Sequence, residues 1–387
     1  MSIIILLLDM QKAFDRVAHK HLVYKLAKVG IRPPLLDLLA SYLHGRQQIV
    51  RIGQCDSTPA QVASGVIQGS VLGPLLFLVY TNDVTDVIAN GKTFIYADDI
   101  KIVYKFRRDD LQHLLTCIQA DMLSLDSWSE KWLIKFSASK SIVLPYKCHI
   151  PSDCVSLGGQ YLTLSPSVRD LGLRYSANFN FFEQVDYQIA RARKTIGYLR
   201  YRIHLPAARL ELYKICVRPV LETYTIIYGN VRKCDRLAIE SVQRTFTKSI
   251  LGWSTPLSYR QRCLDLRLEP LWMRRLKLNL NLVHGIAYGH AFSNSILKKR
   301  EPIHTYSLRN KESCLIETPA RTAVRHRFFT VQYATLWNRL PQHIRTASNK
   351  FTFKALLSRY LTLSNICRLF RINCTDDDLY EQGPGAI

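Results

Sequence analysis

An α+β fold followed by a helical second half is what this sequence predicts, on three observations. Two apolar, strand-like runs end in aspartates: Ile3 to Leu8 before Asp9, and Thr93 to Ile95 before the tetrad Tyr96-Ala97-Asp98-Asp99. Between Leu111 and Trp132 apolar residues recur every three or four positions, the period of a long helix with one buried stripe. From about Phe181 onward the segments carry apolar stripes beside basic residues and read as helices. Strands first, with helices packed on one face, make the first half α+β.

Taken in order, His21 to Val29 is helical in period and stops at Gly30, and a second helix runs from Pro33-Pro34 to Gly45, with proline at its start and glycine past its end. Gln48 to Ile52 and Ala60 to Ala63 alternate as short strands, and Leu72 to Ile88 reads as a largely buried helix. Thr93 to Ile95 and Ile100 to Tyr104 make a hairpin with the aspartates at its tip. Asp109 is placed to cap the helix whose stripe is Leu111, Leu114, Leu115, Ile118, Met122, Leu125, Trp128 and Trp132. Ile142 to Leu144, Tyr161 to Leu164 and Leu171 to Tyr175 complete the sheet. Helices are expected over Tyr187 to Arg202, Ala207 to Ile227, Arg236 to Leu251 and Leu271 to Tyr288. The predicted domains are 1–176; a helical region 177–297; a basic linker 298–320; and a small helical module 321–387 around Trp337, with a frayed acidic tail at Asp376 to Asp378.

Length allows two or three domains with substantial cores. The net charge of +23 and pI near 9.7 point to a polyanionic partner. Residues 1–176 hold 19 Lys/Arg against 15 Asp/Glu, so the totals of 53 and 30 leave 34 against 15 in residues 177–387, a net of +4 against +19. Acidic chemistry and a phosphate-tracking surface thus belong to different halves. The ten cysteines lack a Cys-x-x-Cys pair and read as free thiols of a reducing compartment. Ile3 to Leu8 is too short for a signal peptide or a membrane span, and no other run is long and apolar enough to cross a bilayer.

Aspartates gathered at strand ends are costly without a cation, and an oxygen-only set suits Mg²⁺ or Mn²⁺. Between the acidic strands lies Ser64-Gly65-Val66-Ile67-Gln68-Gly69-Ser70-Val71-Leu72-Gly73-Pro74. With Asp9 and Ala13-Phe14-Asp15 before it and Tyr96-Ala97-Asp98-Asp99 after it, the chain resembles the reverse transcriptases of non-LTR, LINE-like retrotransposons, especially the Jockey and CR1 group. Trp128-Ser129-Glu130-Lys131-Trp132 leading to Lys140 resembles the family's next palm motif, and Val168-Arg169-Asp170-Leu171-Gly172-Leu173 its primer-grip hairpin. Val217 to Glu222, Glu240 to Arg244 and Trp337 to Pro341 resemble stretches downstream of that polymerase.

The resemblance implies a polymerase palm, a helical thumb and RNA-directed DNA synthesis with two Mg²⁺ or Mn²⁺ ions, which activate a 3′-hydroxyl and neutralise the triphosphate. It makes Asp9, Asp98 and Asp99 the catalytic metal ligands and Asp15 structural. Phe14 becomes a gate against a ribose 2′-hydroxyl, Gln68 and Gly69 supports for nucleotide and template, Lys140 a contact to the leaving pyrophosphate, and Leu171 and Gly172 the primer grip. Implied partners are an RNA template, a DNA primer or target and deoxynucleoside triphosphates, without a membrane; the implied location is the nucleus, or the cytoplasm. The sequence departs from the pattern at Ile67, where the family usually has proline, and over Phe136-Ser137-Ala138-Ser139, where it usually has asparagine. The fingers and any endonuclease are expected upstream of residue 1, so a copy weakly active by itself is the expectation. The rivals are a non-catalytic relic that binds RNA or DNA, and an intron-maturase-like polymerase.

Overall fold

The computed structural model describes residues 2–227, 229, 231–289, 296–299 and 313–384, in two compact units, Met1–Phe179 and Asn180–Ile387. In the first unit, β1 (Ser2–Asp9) leads through a 3₁₀ turn, Ala13–Arg16, into α1 (His19–Lys28) and α2 (Leu35–Leu43). Gly30 ends α1 with φ 102°, where a side chain would be strained. The alternating stretch 47–61 breaks into two-residue strands, β2 (Gln47–Gln48), β3 (Arg51–Ile52), β4 (Cys55–Asp56) and β5 (Ala60–Gln61), pairing β2 with β5 and β3 with β4. Then come α3 (Leu72–Thr81), β6 (Lys92–Tyr96), β7 (Asp99–Phe106), α4 (Leu111–Trp132) and β8 (Ile142–Tyr146). The short strands β9 (Ser156–Leu157), β10 (Gln160–Tyr161), β11 (Thr163–Leu164), β12 (Ser167–Asp170) and β13 (Leu173–Ser176) close the unit.

The main sheet has the order β11-β8-β1-β7-β6, antiparallel except for β11 beside β8. Strand residues alternate between faces. Ile4, Leu6 and Leu8 of β1 and Ile100, Ile102 and Tyr104 of β7 share one buried core with Phe77 and Tyr80 of α3 and with Ile118, Met122 and Leu125 of α4. The opposite face carries Asp9 and Asp99.

The Trp128 and Trp132 motif has a structural account. Lys25 Nζ lies 3.6 Å from the Trp132 ring centroid and donates to Asp83 Oδ1 at 2.7 Å, while Trp128 Nε1 donates to the same oxygen at 3.0 Å. Burial pushes the Lys25 ammonium below its ordinary range, Asp83 opposing. This cluster ties α1 and α4 to the segment after α3 and so fixes the helical layer behind the sheet.

Several expectations change. The helix expected over 72–88 stops at Thr81 and continues as a 3₁₀ turn, Asn82–Val87, and Leu75 and Leu78 are exposed. Asp109 caps nothing: it lies inside a 3₁₀ turn, Arg108–Asp110, and no side chain caps α4. The strand expected over 171–175 begins at Leu173 and pairs only with β12, because Leu171 and Gly172 form a tight turn. The acidic run 376–378 is not frayed, as the second unit explains.

In that unit α5 (Phe182–Arg202) is followed by α6 (Pro206–Leu212), a π turn at Tyr213–Val217 and α7 (Arg218–Glu222). Pro219 lacks an N–H, so the helix expected over 207–227 widens before it and ends after Glu222. Next come α8 (Lys233–Leu251), α9 (Tyr259–Asp265) and α10 (Leu271–Ala287). After residue 313 come α11 (Ala323–His326), α12 (Phe329–Arg339), α13 (Gln342–Arg345), α14 (Lys350–Tyr360), α15 (Leu363–Phe370) and α16 (Asp376–Gln382). Most of the expected linker, residues 300–312, lies outside the described residues.

A single core joins Leu276, Leu280 and Val283 of α10 to Trp337, Phe353, Leu357, Ile366 and Leu379, so the C-terminal helices do not pack as a module apart from α10. Thr375 and Asp378 form a capping box at the start of α16, and Leu379 anchors the helix in the core, which is why the acidic run is ordered. The downstream motifs are also structural. Glu240, buried in α8, accepts from the first N–H groups of α10, Leu271 N at 2.9 Å and Trp272 N at 3.2 Å, and from Tyr259 Oη at 2.6 Å. Asn338 brackets Leu315 by accepting from its N at 2.8 Å and donating to its O at 2.9 Å.

Candidate active site

The first carboxylate is placed by the end of β1. Asp9 pairs in register with Asp99 across the antiparallel β1–β7 ladder, so their side chains leave the same face. A loop rich in serine clamps the Asp9 backbone: Ser137 N donates to Asp9 O at 2.8 Å, and Asp9 N donates to Ser141 Oγ at 3.2 Å. That loop carries Lys140, whose Nζ stands 3.8 Å from Asp9 Oδ2. Asp9 Oδ2 is shielded from solvent and has no hydrogen-bond partner among the described residues.

Asp98 sits in the two-residue turn between Tyr96 and Asp99, after Ala97, which takes a positive φ of 54°. Two-residue hairpins favour such a φ at the first turn position, although a non-glycine residue pays strain for it. Desolvation, then the negative charges of Asp98, Asp170 and Asp9, push the Asp99 carboxyl above its usual range, with Lys101 opposing.

A cavity of ≈ 520 Å³ lies over this face, lined by Asp9, Asp99, Tyr96, Lys101, Lys140, Asp170 and Leu171 among others. Asp170, from β12, pairs with Lys101 and accepts from Tyr175 Oη at 3.1 Å. Leu171 and Gly172 form the β12–β13 turn with φ 47° and 82°, the pair of positive values of a type I′ turn, and Leu171 reaches the cavity. The sequence motifs do not single out Asp170 or Lys101, which line this cavity. Strand alternation alone puts Lys101 on the face of Asp99, whereas nothing local in the sequence shows that Asp170 faces it.

The Gln68-Gly69 loop stands apart from that cavity, against the 3₁₀ turn after β1. Gln68 Nε2 donates to Asp15 Oδ1 at 2.8 Å, Ser64 Oγ to Asp15 O at 2.9 Å, and Val66 N to Phe14 O at 2.8 Å. Asp15 therefore organises this loop. Gly65, at φ 97°, passes so close that a Cβ would meet the Asp15 backbone at 3.0 Å. Phe14 is half-buried, its ring stacked on Phe77 at 4.5 Å. Gln68 and Gly69 are exposed and line none of the cavity that holds Asp9 and Asp99.

Among the described residues, no three of His, Cys, Asp and Glu are gathered closely enough to enclose a metal ion. The donor set nevertheless fits a divalent cation: hard oxygens, an orphaned Asp9 oxygen, and mutual repulsion focused on Asp99.

Residues 1–165 match the reverse transcriptase (RNA-dependent DNA polymerase) family. The RNA-directed DNA polymerase from mobile element jockey of Drosophila funebris is 30% identical over 267 residues, 63% of this chain and 28% of that protein. The probable RNA-directed DNA polymerase from transposon X-element of Drosophila melanogaster is 40% identical over 140 residues, 35% of this chain and 15% of that protein. Among solved structures, telomerase from Candida tropicalis in complex with a fragment of telomeric RNA matches with a TM-score of 0.38 and 10% identity, covering 94% of this chain and 50% of that one. Residues 1–165, most of the first unit, are thus similar to a reverse transcriptase domain. The chain is similar to the RNA-directed DNA polymerases of non-LTR retrotransposons, and it spans about 28% of the length of the jockey relative.

Proposed function

We propose that the first unit is the palm of an RNA-directed DNA polymerase, that the helical second unit begins with its thumb, and that Asp9, Asp98 and Asp99 are its metal ligands. The observation that carries this reading is the registered Asp9–Asp99 pair with Asp98 in the adjoining turn. A divalent pair bound there would supply an activated primer 3′-hydroxyl and neutralisation of the pyrophosphate charge. Lys140 would release Asp9 and donate from Nζ to the departing phosphates, since its side chain is exposed and only 3.8 Å away. Leu171 and Gly172 would steady the primer end, with Asp170 and Lys101 holding their hairpin against the sheet. Gln68 and Gly69 would support the template and incoming nucleotide beside Phe14.

In-line attack also needs cations around the triphosphate. Those lining the cavity are few, Lys101, Lys140 and Arg169, and two already face carboxylates. Weak extension by residues 1–387 alone is therefore part of the proposal. A relic that binds nucleic acid without extending it is favoured by the absence of three gathered ligands among the described residues. Primer extension on an RNA template with Mg²⁺ and deoxynucleotides decides between them, run with these residues alone and with them inside a protein of the jockey relative's length. Synthesis by the longer protein supports the polymerase; none supports the relic.

The same assay tests Phe14. As a sugar gate, Phe14→Val raises incorporation of ribonucleotides relative to deoxynucleotides by about 10–100-fold. An unchanged ratio with reduced stability would leave Phe14 as the core partner of Phe77.

A further inference from the structure

We propose that the exposed face of α5 is a binding surface for single-stranded nucleic acid, with unpaired bases stacking on Tyr198 and Tyr201 and phosphates meeting the cations beside them. The inference rests on the reading of the basic half as the nucleic-acid-binding half, and it names the form of nucleic acid and the residues.

From Ala190 to Arg202 the helix carries five cations, Arg191, Arg193, Lys194, Arg200 and Arg202, and no carboxylate. None of the five forms an ion pair among the described residues. Arg191, Lys194, Tyr198 and Tyr201 follow one another at steps of three and four, so they share one face. That face lies opposite Val185, Gln188, Ile189, Ala192 and Leu199, which are buried. Tyr198 is 62% exposed and Tyr201 75%, so neither ring is there to fill a core. On this face the Arg202 guanidinium lies 5.3 Å from the Tyr201 ring.

Gly197 supplies an independent observation. It sits inside α5 on the exposed side, and a Cβ there would meet nothing within 4 Å. Packing does not require a glycine at this position, and glycine costs helix stability relative to alanine. The bare backbone between Lys194, Tyr198 and Tyr201 leaves room for another backbone to approach.

Cations alone would serve a duplex equally well. Exposed rings do not, because bases in a duplex are already stacked on one another; rings reward unpaired bases, and stacking tolerates any sequence. Interleaved cations and aromatic rings therefore fit a single strand.

The test uses fluorescence anisotropy of the full chain with labelled oligo(U), oligo(dT) and a blunt RNA–DNA duplex, each about 15 nucleotides long to match ordinary site sizes. Paired replacement Tyr198→Ala with Tyr201→Ala should weaken binding of the single strands by about tenfold or more, leave the salt slope unchanged and scarcely alter duplex binding. Tyr198→Phe with Tyr201→Phe should retain binding, since the ring stacks and the hydroxyl does not. Comparing oligo(U) with oligo(dT) tells RNA from DNA as the preferred strand. Equal losses on duplex and single strand, or no loss, would overturn the inference while leaving the basic half a nucleic-acid binder. Failure to bind any of the three would overturn both.

Discussion

Asp9→Asn and Asp98→Asn should each lower primer extension by at least about a thousandfold in a protein that extends, while leaving its fold intact. A metal contributes several kcal/mol of transition-state charge stabilisation, and each ~1.4 kcal/mol is tenfold in rate. Asparagine matches aspartate in shape but lacks the charge that would bind the cation. Stability should move the other way. Asp99 is held above its usual carboxyl range in part by Asp98 and Asp9, which means the folded protein disfavours its ionised form. For a carboxyl raised in this way, folding is favoured as pH falls through the folded-state value and loses that contribution as pH rises. Removing a neighbouring negative charge relieves the same repulsion, so the variants should melt no lower than the parent near neutral pH. A variant that lost activity together with its fold would show that Asp9 or Asp98 serves structure instead.

Affinity for duplex nucleic acid should fall by about 10³–10⁵ between 50 and 200 mM salt, and the second unit should carry nearly all of that dependence. Residues 177–387 hold the net +19, and 177–179 contribute no charge, so the unit beginning at Asn180 has it all. Not every arginine is available for phosphate. Arg274 and Arg218 face Glu222, Arg244 pairs with Glu381, Arg260 with Asp376, and Arg232 with Asp235. Six to ten phosphate contacts would give a slope near −0.9 per phosphate. Each unit has its own hydrophobic core, so fragments 1–179 and 180–387 can be compared directly in a salt titration. Equal affinity and slope in both fragments would contradict the division of labour.

The centre of the first unit was legible because short apolar runs, a sustained helical period and terminal aspartates are local signals. β1, β6, β7, α4 and β8 lie where Ile3 to Leu8, the Asp98-Asp99 hairpin, the Leu111–Trp132 stripe and Ile142 to Leu144 put them. Which strands pair is less local, and the Asp9–Asp99 register depends on it. What escaped depends on contacts distant in sequence. Leu75 and Leu78 read as core because apolar residues were assumed to be covered, yet both are exposed. Asp170 joins the site through a hairpin that packs on a sheet formed some seventy residues earlier, at Lys101. The helix α9, seven residues long, is too short for periodicity to reveal, and it is fixed by Tyr259 bonding to Glu240 and Gln243. α16 looked like a solvated acidic tail because its capping box and its buried Leu379 take meaning only once the core is assembled.

The central claim is that Asp9, Asp98 and Asp99 form a divalent-metal site. Its most direct test is Mn²⁺ binding, followed by the electron paramagnetic resonance of the free ion, in the presence of a chain-terminated primer on its RNA template and a matching deoxynucleotide. The chain with its own residues should take up Mn²⁺ that the Asp9→Asn, Asp99→Asn double variant does not. Equal Mn²⁺ uptake by the two proteins would contradict the account.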